Sequence, residues 1–191
     1  MYTTIIFAHP WHGSFNKAIL DTVTGELDKQ KREYKLIDLN QDGFNPVMQG
    51  ADLALYSKGQ STDPLVIKYQ TMLNETDEVI FIFPIWWYNI PAILKGFFDK
   101  VMLKNFAYTQ TATRLIGKLT HIKKTTIFTT SEAPTIFINV LKGNVIKGTF
   151  IKGELKGVGL RNIRWYNSEL TTTGSREKKE KYLKKVIKVL N

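Results

Sequence analysis

The chain has 191 residues, of which 43% are hydrophobic and 23% are charged. These values lie near the averages for globular proteins, so they exclude intrinsic disorder and collagen-like repeats and fit a single domain over residues 1–191. The sequence has 0 cysteines, which excludes disulfides, thiolate metal ligands and cysteine nucleophiles. Apolar runs are shorter than the roughly 18 residues of a membrane span, and residues 1–5 lack the basic segment of a secretory signal. We therefore expect a cytoplasmic protein without an integral membrane segment.

The net charge is +10, from 27 basic and 17 acidic side chains. Such an excess attracts anions, including nucleic acids and phosphorylated cofactors. Six of the lysines, however, lie within residues 178–188, interleaved with an apolar stripe at helical spacing that consists of Tyr182, Leu183, Val186, Ile187 and Leu190. These lysines form the polar face of an amphipathic helix. Because the chain shows neither basic residues interleaved with exposed aromatic side chains nor a recognisable nucleic-acid-binding module, we expect no nucleic-acid partner.

Strand and helix patterns alternate along the chain. Short apolar runs predict strands at residues 3–8, 34–39, 78–83, 124–130 and 159–166. Helices are predicted after Ser14, at 50–58, at 63–75, at 92–102 with Pro91 as the first helical residue, and after Ser175. Residues 143–159 are rich in glycine and lysine and indicate a loop or a hairpin. The alternation predicts a doubly wound, five-stranded parallel sheet with helices on both faces. Ligands of such sheets bind beyond the carboxyl ends of the strands.

The first loop at that edge covers residues 9–16 and leads directly into a helix. Free N–H groups and the positive end of the helix dipole make such a loop an anion site. Ser14 and Asn16 can add neutral donors, and His9 can add a donor whose charge follows pH. The loop lacks the Gly-Lys-Ser/Thr of a Walker A motif. Simple helix capping by Ser14 explains the same residues equally well.

The second loop covers residues 84–91 and contains three consecutive aromatic residues, Trp86, Trp87 and Tyr88. They cannot all face one core, so we expect some to be exposed or to cover a planar ligand. A hydrophobic interface or an ordinary core corner is the alternative. The third loop, at 129–134, offers only small hydroxyl residues and one carboxylate.

Two of these segments resemble a known family. Ala8-His9-Pro10 followed by Ser14-Phe15-Asn16 is similar to the flavin-phosphate loop of the NAD(P)H:quinone oxidoreductases, the flavodoxin-like reductases related to DT-diaphorase. Residues 83–101 resemble the most specific signature of that family, and Phe106-Ala107-Tyr108 resembles the segment that follows it. The resemblance covers about residues 3–170 and is closest to the compact bacterial members.

The resemblance implies a flavodoxin-like fold and a flavin site. In that site the phosphate-bearing part of the flavin is held by His9, Ser14, Phe15 and Asn16. The ring is lined by Pro84, Ile85, Trp86, Trp87, Tyr88 and Asn89, and its other edge is closed by Thr129, Thr130, Ser131 and Glu132. The third loop departs from the Thr-Gly-Gly that is common in the family. The positions of the family's Tyr and His are filled by Ile136, Phe137 and Ile138, so no catalytic side chain is assigned.

The implied activity is two-electron transfer from NADH or NADPH to quinones or similar small acceptors in a ping-pong cycle. The flavin carries that chemistry, and no metal is needed. The chain length favours FMN, with FAD as the alternative. A flavodoxin-type electron carrier and a redox-sensing subunit of a membrane transporter remain alternatives, although carriers of that kind are usually acidic.

The same resemblance implies a homodimer. The helix predicted at 92–102 carries more apolar side chains than one helix face needs, namely Ile93, Leu94, Phe97, Phe98 and Val101. Large apolar patches usually mark an interface, and two-fold dimers are the commonest solution. In the family this region reaches over the partner's flavin, which would place Phe106 and Tyr108 near the substrate.

Overall fold

The computed structural model describes residues 2–191. The main sheet has five strands, β1 (Thr3–Phe7), β2 (Tyr34–Asp38), β3 (Glu78–Pro84), β6 (Lys124–Thr130) and β7 (Ile163–Ser168). All of its pairings are parallel and their order is β2-β1-β3-β6-β7. This is the doubly wound, flavodoxin-like arrangement, so the predicted fold class is confirmed.

Six α-helices accompany the sheet, α1 (Phe15–Lys29), α2 (Gly50–Tyr56), α3 (Pro64–Asn74), α4 (Ala92–Val101), α5 (Thr135–Val140) and α6 (Arg176–Leu190). Side chains of each central strand alternate between two cores. Ile5 and Phe7 of β1 point to the side of α1 and α6, whereas Ile6 points to the side of α3 and α4. Both faces of the sheet are therefore covered, which explains the continuous apolar runs of β1 and β3.

The end of the chain folds as an amphipathic helix. On α6 the residues Tyr182, Val186 and Leu190 are buried at helical spacing, and most of the lysines on its other faces are exposed. In residues 2–191, no helix combines the length and the apolar character needed to cross a membrane.

Three segments differ from the sequence-based expectation. Residues 143–159 hold a π-helix, Ile146–Leu155, instead of a loop or hairpin. Its Phe150 packs against the rings of Phe81, Phe83 and Phe98 at centroid distances of 5.6, 5.4 and 5.3 Å. Burial of such a ring outweighs the poor helix propensity of the glycines in this segment. The other two differences are elements that the sequence did not indicate. One is the short helix α5, and the other is an antiparallel pair of strands, β4 (Tyr108–Gln110) with β5 (Leu115–Gly117).

Smaller corrections concern element ends and the apolar helix. Strand β7 lies at Ile163–Ser168 rather than 159–166, and Pro91 is the N-cap of α4 instead of its first helical residue. The apolar side chains of α4 are not a free patch, because Leu94, Phe97, Phe98 and Val101 are buried in the chain's own core. Their surplus is explained by α3 and the π-helix, which cover α4 from two sides. These residues therefore provide no evidence for a dimer interface.

Candidate active site

A cavity of about 720 Å³ lies at the carboxyl ends of β1, β3 and β6, where the sequence predicted it. Because β1 and β3 are adjacent in the sheet, their chain connections leave in opposite directions at this edge and open a crevice. All residues proposed from the sequence as cofactor contacts line it except Asn89 and Thr129; the lining members are His9, Ser14, Phe15, Asn16, Pro84, Ile85, Trp86, Trp87, Tyr88, Thr130, Ser131 and Glu132.

The start of α1 forms one end of the cavity. Ser14 is the N-cap, and its Oγ accepts a hydrogen bond from the N–H of Lys17 at 3.2 Å. Within residues 2–191 the N–H groups of Phe15 and Asn16 have no hydrogen-bond partner, as expected for the first turn of a helix. These two donors and the helix dipole favour an anion at this place.

The side chain of Asn16 differs from the expectation that it donates to an anion. It is 2% exposed, and its Nδ2 donates to Thr130 Oγ1 at 2.8 Å, which links α1 to the end of β6. Its Oδ1 is buried and has no hydrogen-bond partner among the described residues. A buried acceptor without a partner costs free energy, so Oδ1 is suited to accept a hydrogen bond from a ligand in the cavity.

The imidazole of His9 is held as a neutral group. Burial lowers its pKa below the ordinary value of 6.5. Its Nδ1 accepts a hydrogen bond from the N–H of Trp11 at 3.1 Å, which leaves the proton on Nε2. The Trp86 ring meets the imidazole edge-on with centroids 5.8 Å apart. His9 therefore offers a neutral donor at neutral pH rather than a cation.

The aromatic loop is a tight turn with a strained backbone. The N–H of Trp86 donates to the carbonyl of Asn89 at 3.0 Å, and the reverse bond is 2.9 Å long. The two central residues, Trp87 and Tyr88, have φ of 49° and 63°, which is the left-handed region that normally holds Asn or Gly. Such strain is typical of functional sites. Asn89 closes this turn and accepts from the N–H of Ile90 at 2.8 Å, which explains why it does not line the cavity.

The turn places its aromatic rings in different environments. Trp87 is 95% exposed and Trp86 is partly exposed, whereas Tyr88 packs against Phe137 with centroids 6.2 Å apart. The Nζ of Lys142 lies 5.1 Å from the centroid of the Tyr88 ring. The expectation that the three aromatics cannot share one core is confirmed.

The third loop is braced from behind by β7. Thr129 faces away from the cavity, since its Oγ1 accepts from Trp165 Nε1 and donates to Asn167 Oδ1, both at 2.8 Å. Asn167 Nδ2 in turn donates to Ser131 Oγ at 2.8 Å. These bonds fix the loop without the two glycines that are common in the family.

Glu132 connects the third loop to the segment before α6. Its Oε1 accepts from the N–H of Thr172 at 2.5 Å, and Thr173 Oγ1 lies 3.5 Å from Oε2. Burial alone would raise the pKa of Glu132, but the hydrogen bonds from Thr172 and Thr173 outweigh burial and lower this pKa. The carboxylate is thus ionised and serves as a brace.

Sequence reasoning missed several residues of the cavity wall, which are Trp11, Gly13, Ala133, Ile138, Thr171, Thr172 and Lys179. Trp11 and Gly13 lie inside the loop at 9–16 and were open to the same argument. The sequence pattern places Lys179 on the solvated face of α6, and nothing in it distinguishes this lysine from its neighbours. Conversely, Phe106 and Tyr108 do not line this cavity.

The geometry defines a doubly wound α/β protein with a ligand cavity at the switch point of its sheet. The family model described as having a flavodoxin-like fold matches residues 1–188, and the chain belongs to this family.

Curated relatives match about half of the chain. An uncharacterized NAD(P)H oxidoreductase, YcaK of Escherichia coli, is 33% identical over 105 residues, which cover 54% of this chain and 54% of that protein. NAD(P)H dehydrogenase (quinone) 1 of Rattus norvegicus is 33% identical over 122 residues, covering 55% and 44% of the two chains. The chain thus spans about half the length of these relatives.

Solved structures match over the whole chain. The protein Smu.1420 of Streptococcus mutans has a TM-score of 0.85 and 31% identity, and the match covers 100% of this chain and 98% of that one. An FMN-dependent NADH-azoreductase of Bacillus anthracis, solved in complex with FMN, has a TM-score of 0.79 at 16% identity and covers 99% and 97%. The second likeness shows the fold alone.

Proposed function

We propose that this protein is a flavin-dependent NAD(P)H oxidoreductase that transfers two electrons to quinones or similar small acceptors. One observation carries the proposal: a single cavity of about 720 Å³ joins the anion-binding start of α1 to an aromatic loop at the end of β3. FMN has a phosphate at one end and a planar heterocycle at the other. The names of the matched relatives, an NAD(P)H oxidoreductase and a quinone dehydrogenase, support the same activity.

The residues present fit FMN. The N–H groups of Phe15 and Asn16 suit the phosphate, and the unpaired Oδ1 of Asn16 suits a hydroxyl of the ribityl chain. The turn at 84–89 offers its aromatic residues and backbone to the ring. When bound, the flavin supplies the redox chemistry by taking two electrons from NAD(P)H and passing them to the acceptor. The chain's own residues bind and orient the reactants, and we assign none of them as catalytic.

The presence of one cavity at this edge also supports the ping-pong order, because donor and acceptor would have to occupy the same space in turn. Initial rates measured at several fixed quinone concentrations test this point. Parallel double-reciprocal lines support alternation, and intersecting lines contradict it.

The deciding experiment is spectroscopic. The purified protein should show a flavin absorbance spectrum, or take up FMN stoichiometrically, and mass spectrometry of the released cofactor should identify FMN rather than FAD. Steady-state oxidation of NADPH and NADH with a soluble quinone then tests turnover. A colourless chain without measurable flavin affinity refutes the proposal. A flavin-loaded chain that exchanges only single electrons with proteins is a carrier, and one that binds a transporter without quinone turnover is a regulatory subunit.

We further propose that the protein is a cytoplasmic homodimer. NAD(P)H is a cytoplasmic reductant, and cell fractionation tests the location. Phe106 and Tyr108 lie outside the chain's own cavity, so contact with substrate requires that they reach a partner's cavity. Burial and the neighbouring Tyr56 raise the pKa of Tyr108, so its hydroxyl stays protonated and available as a donor. Light scattering should give twice 21.9 kDa, and Tyr108→Ala should raise the KM for the acceptor without weakening flavin binding. A fully active monomer contradicts both the homodimer and the contact of Tyr108 with substrate in a partner's cavity.

A further inference from the structure

Trp11 forms part of the cavity wall although its side chain is 67% exposed. Single exposed apolar residues are common on protein surfaces, so exposure alone assigns no role to this indole. A role for Trp11 is indicated by its contacts within the loop and by its position beside the anion site.

The indole of Trp11 is fixed against the backbone. It lies directly on Gly13, where a Cβ would come within 2.4 Å of the ring atom Cζ2. The N–H of Trp11 donates to His9 Nδ1 at 3.1 Å, and its carbonyl accepts from the N–H of Ser14 at 3.2 Å. A ring held in this way loses little conformational entropy when a ligand stacks on it.

The same cavity offers groups for an anion next to this ring. The free N–H groups that begin α1 follow Trp11 by four and five residues. In the same wall, the unpartnered buried Oδ1 of Asn16 can accept a hydrogen bond from a sugar hydroxyl of the ligand. Lys179 of α6 also lines the cavity, and its side chain forms no ion pair within residues 2–191. A flat aromatic surface beside phosphate-binding groups is the chemistry that recognises a nucleotide, since the base stacks while the phosphate is held by donors.

We propose that Trp11 is the stacking platform for the adenine of a dinucleotide that binds in this cavity. The inference deepens the proposed function and rests on it. Two dinucleotides carry this group, FAD as the cofactor and NAD(P)H as the electron donor, and they present the same adenosine pyrophosphate to the platform. FMN lacks it, and the FMN phosphate would occupy the start of α1. With FMN bound, the adenine therefore belongs to the donor, and Lys179 is the group left for the donor's phosphates.

The test compares Trp11→Ala with Trp11→Phe, which keeps an aromatic face. Flavin-free protein is titrated with FMN and FAD, and the loaded protein is assayed with NADH and with reduced nicotinamide mononucleotide, which has no adenosine. Removal of an aromatic platform typically weakens base binding by about five-fold to about 100-fold. If FAD supplies the adenine, Trp11→Ala lowers the affinity for FAD by that factor and leaves FMN unchanged. If the donor supplies it, the KM for NADH rises by that factor and the KM for the mononucleotide does not.

In either case, Trp11→Phe should retain most of the wild-type preference for the ligand that carries adenine. The inference is overturned if Trp11→Ala changes neither the ratio of FAD affinity to FMN affinity nor the ratio of the two KM values, for NADH and for the mononucleotide. It is also overturned if Trp11→Phe changes these ratios as much as Trp11→Ala does. A separate measurement needs no flavin: binding of AMP is compared with binding of ribose 5-phosphate, which lacks the base. If the wild-type chain binds no flavin, the proposed function fails, while the effect of Trp11→Ala on the AMP preference still decides the role of Trp11.

Discussion

The substitution Asn16→Asp tests phosphate binding at the start of α1 without altering the rest of the cavity. The substitution is nearly isosteric, and the Thr130 hydroxyl can rotate to donate to the new carboxylate, so the link between α1 and β6 is retained. What changes is one negative charge on a side chain that is 2% exposed in the first turn of α1. We expect the fold to persist and the affinity for FMN to fall.

The size of the effect follows from Coulomb's law. Two unit charges about 6 Å apart repel by about 2.8 kcal/mol at an effective dielectric constant near 20. Partial protonation and salt reduce this value, so we expect a loss of at least about 1.4 kcal/mol, which is a factor of about ten in Kd.

Riboflavin is the matched ligand for this assay because it has the ring and the ribityl chain but no phosphate. Titration of flavin-free protein should show FMN binding weakened about tenfold or more by Asn16→Asp, with riboflavin affected much less and with the FMN penalty shrinking at high salt. Equal losses for the two ligands, or no loss for either, would refute the assignment of the phosphate to the start of α1.

Three further predictions concern strain, pH and packing. Trp87→Asn places a residue that tolerates positive φ at the exposed turn position, so the free energy of unfolding of the flavin-free protein should rise by up to about 1 kcal/mol in urea titrations, while flavin affinity falls; a less stable variant contradicts the strain argument. The pKa of His9 is lowered below 6.5 in the folded chain, so the unfolded state binds more protons and stability should decrease as pH falls below 6.5; His9→Gln should flatten this dependence, and an unchanged slope would count against it. Phe150→Ala removes a side chain that is 1% exposed and should cost about 3–5 kcal/mol in the same titrations, whereas Ile136→Ala, at a position that is 73% exposed, should cost less than about 0.5 kcal/mol; similar costs for the two would refute the assignment of the π-helix to the core.

The central strands and the place of the cavity were predictable because their signals are local. β1 and β3 are continuous apolar runs that end at proline-containing loops, and parallel topology then fixes the edge at which those loops meet. The family resemblance implies that Asn89 and Thr129 line the cavity, but the first closes a turn and the second faces β7. Period-two alternation of side chains along a strand cannot be read where both faces are buried.

Features that depend on distant contacts were not predictable from one sequence. The π-helix is stabilised by aromatic packing on β3 and α4, and its glycines indicate a loop when read locally. The additional apolar side chains of α4 are explained by the same contacts, since they pack against the π-helix. Thr172 and Lys179 join the cavity from a segment about forty residues beyond the third loop, and no spacing rule connects the two.

The bracing of the third loop by the segment before α6 has a consequence for the order of events during protein synthesis. Asn16 meets Thr130 across 114 positions of the chain, and Glu132 meets Thr172 across 40 more. A growing chain that has emerged only as far as the aromatic turn after β3 contains the phosphate end and that turn, but it lacks the third loop and the segment before α6. Residues up to Lys179 must have left the ribosome before the cavity is complete. A ligand in this cavity should therefore exchange with solvent more readily from a nascent or truncated chain than from a chain in which all of the cavity wall is present.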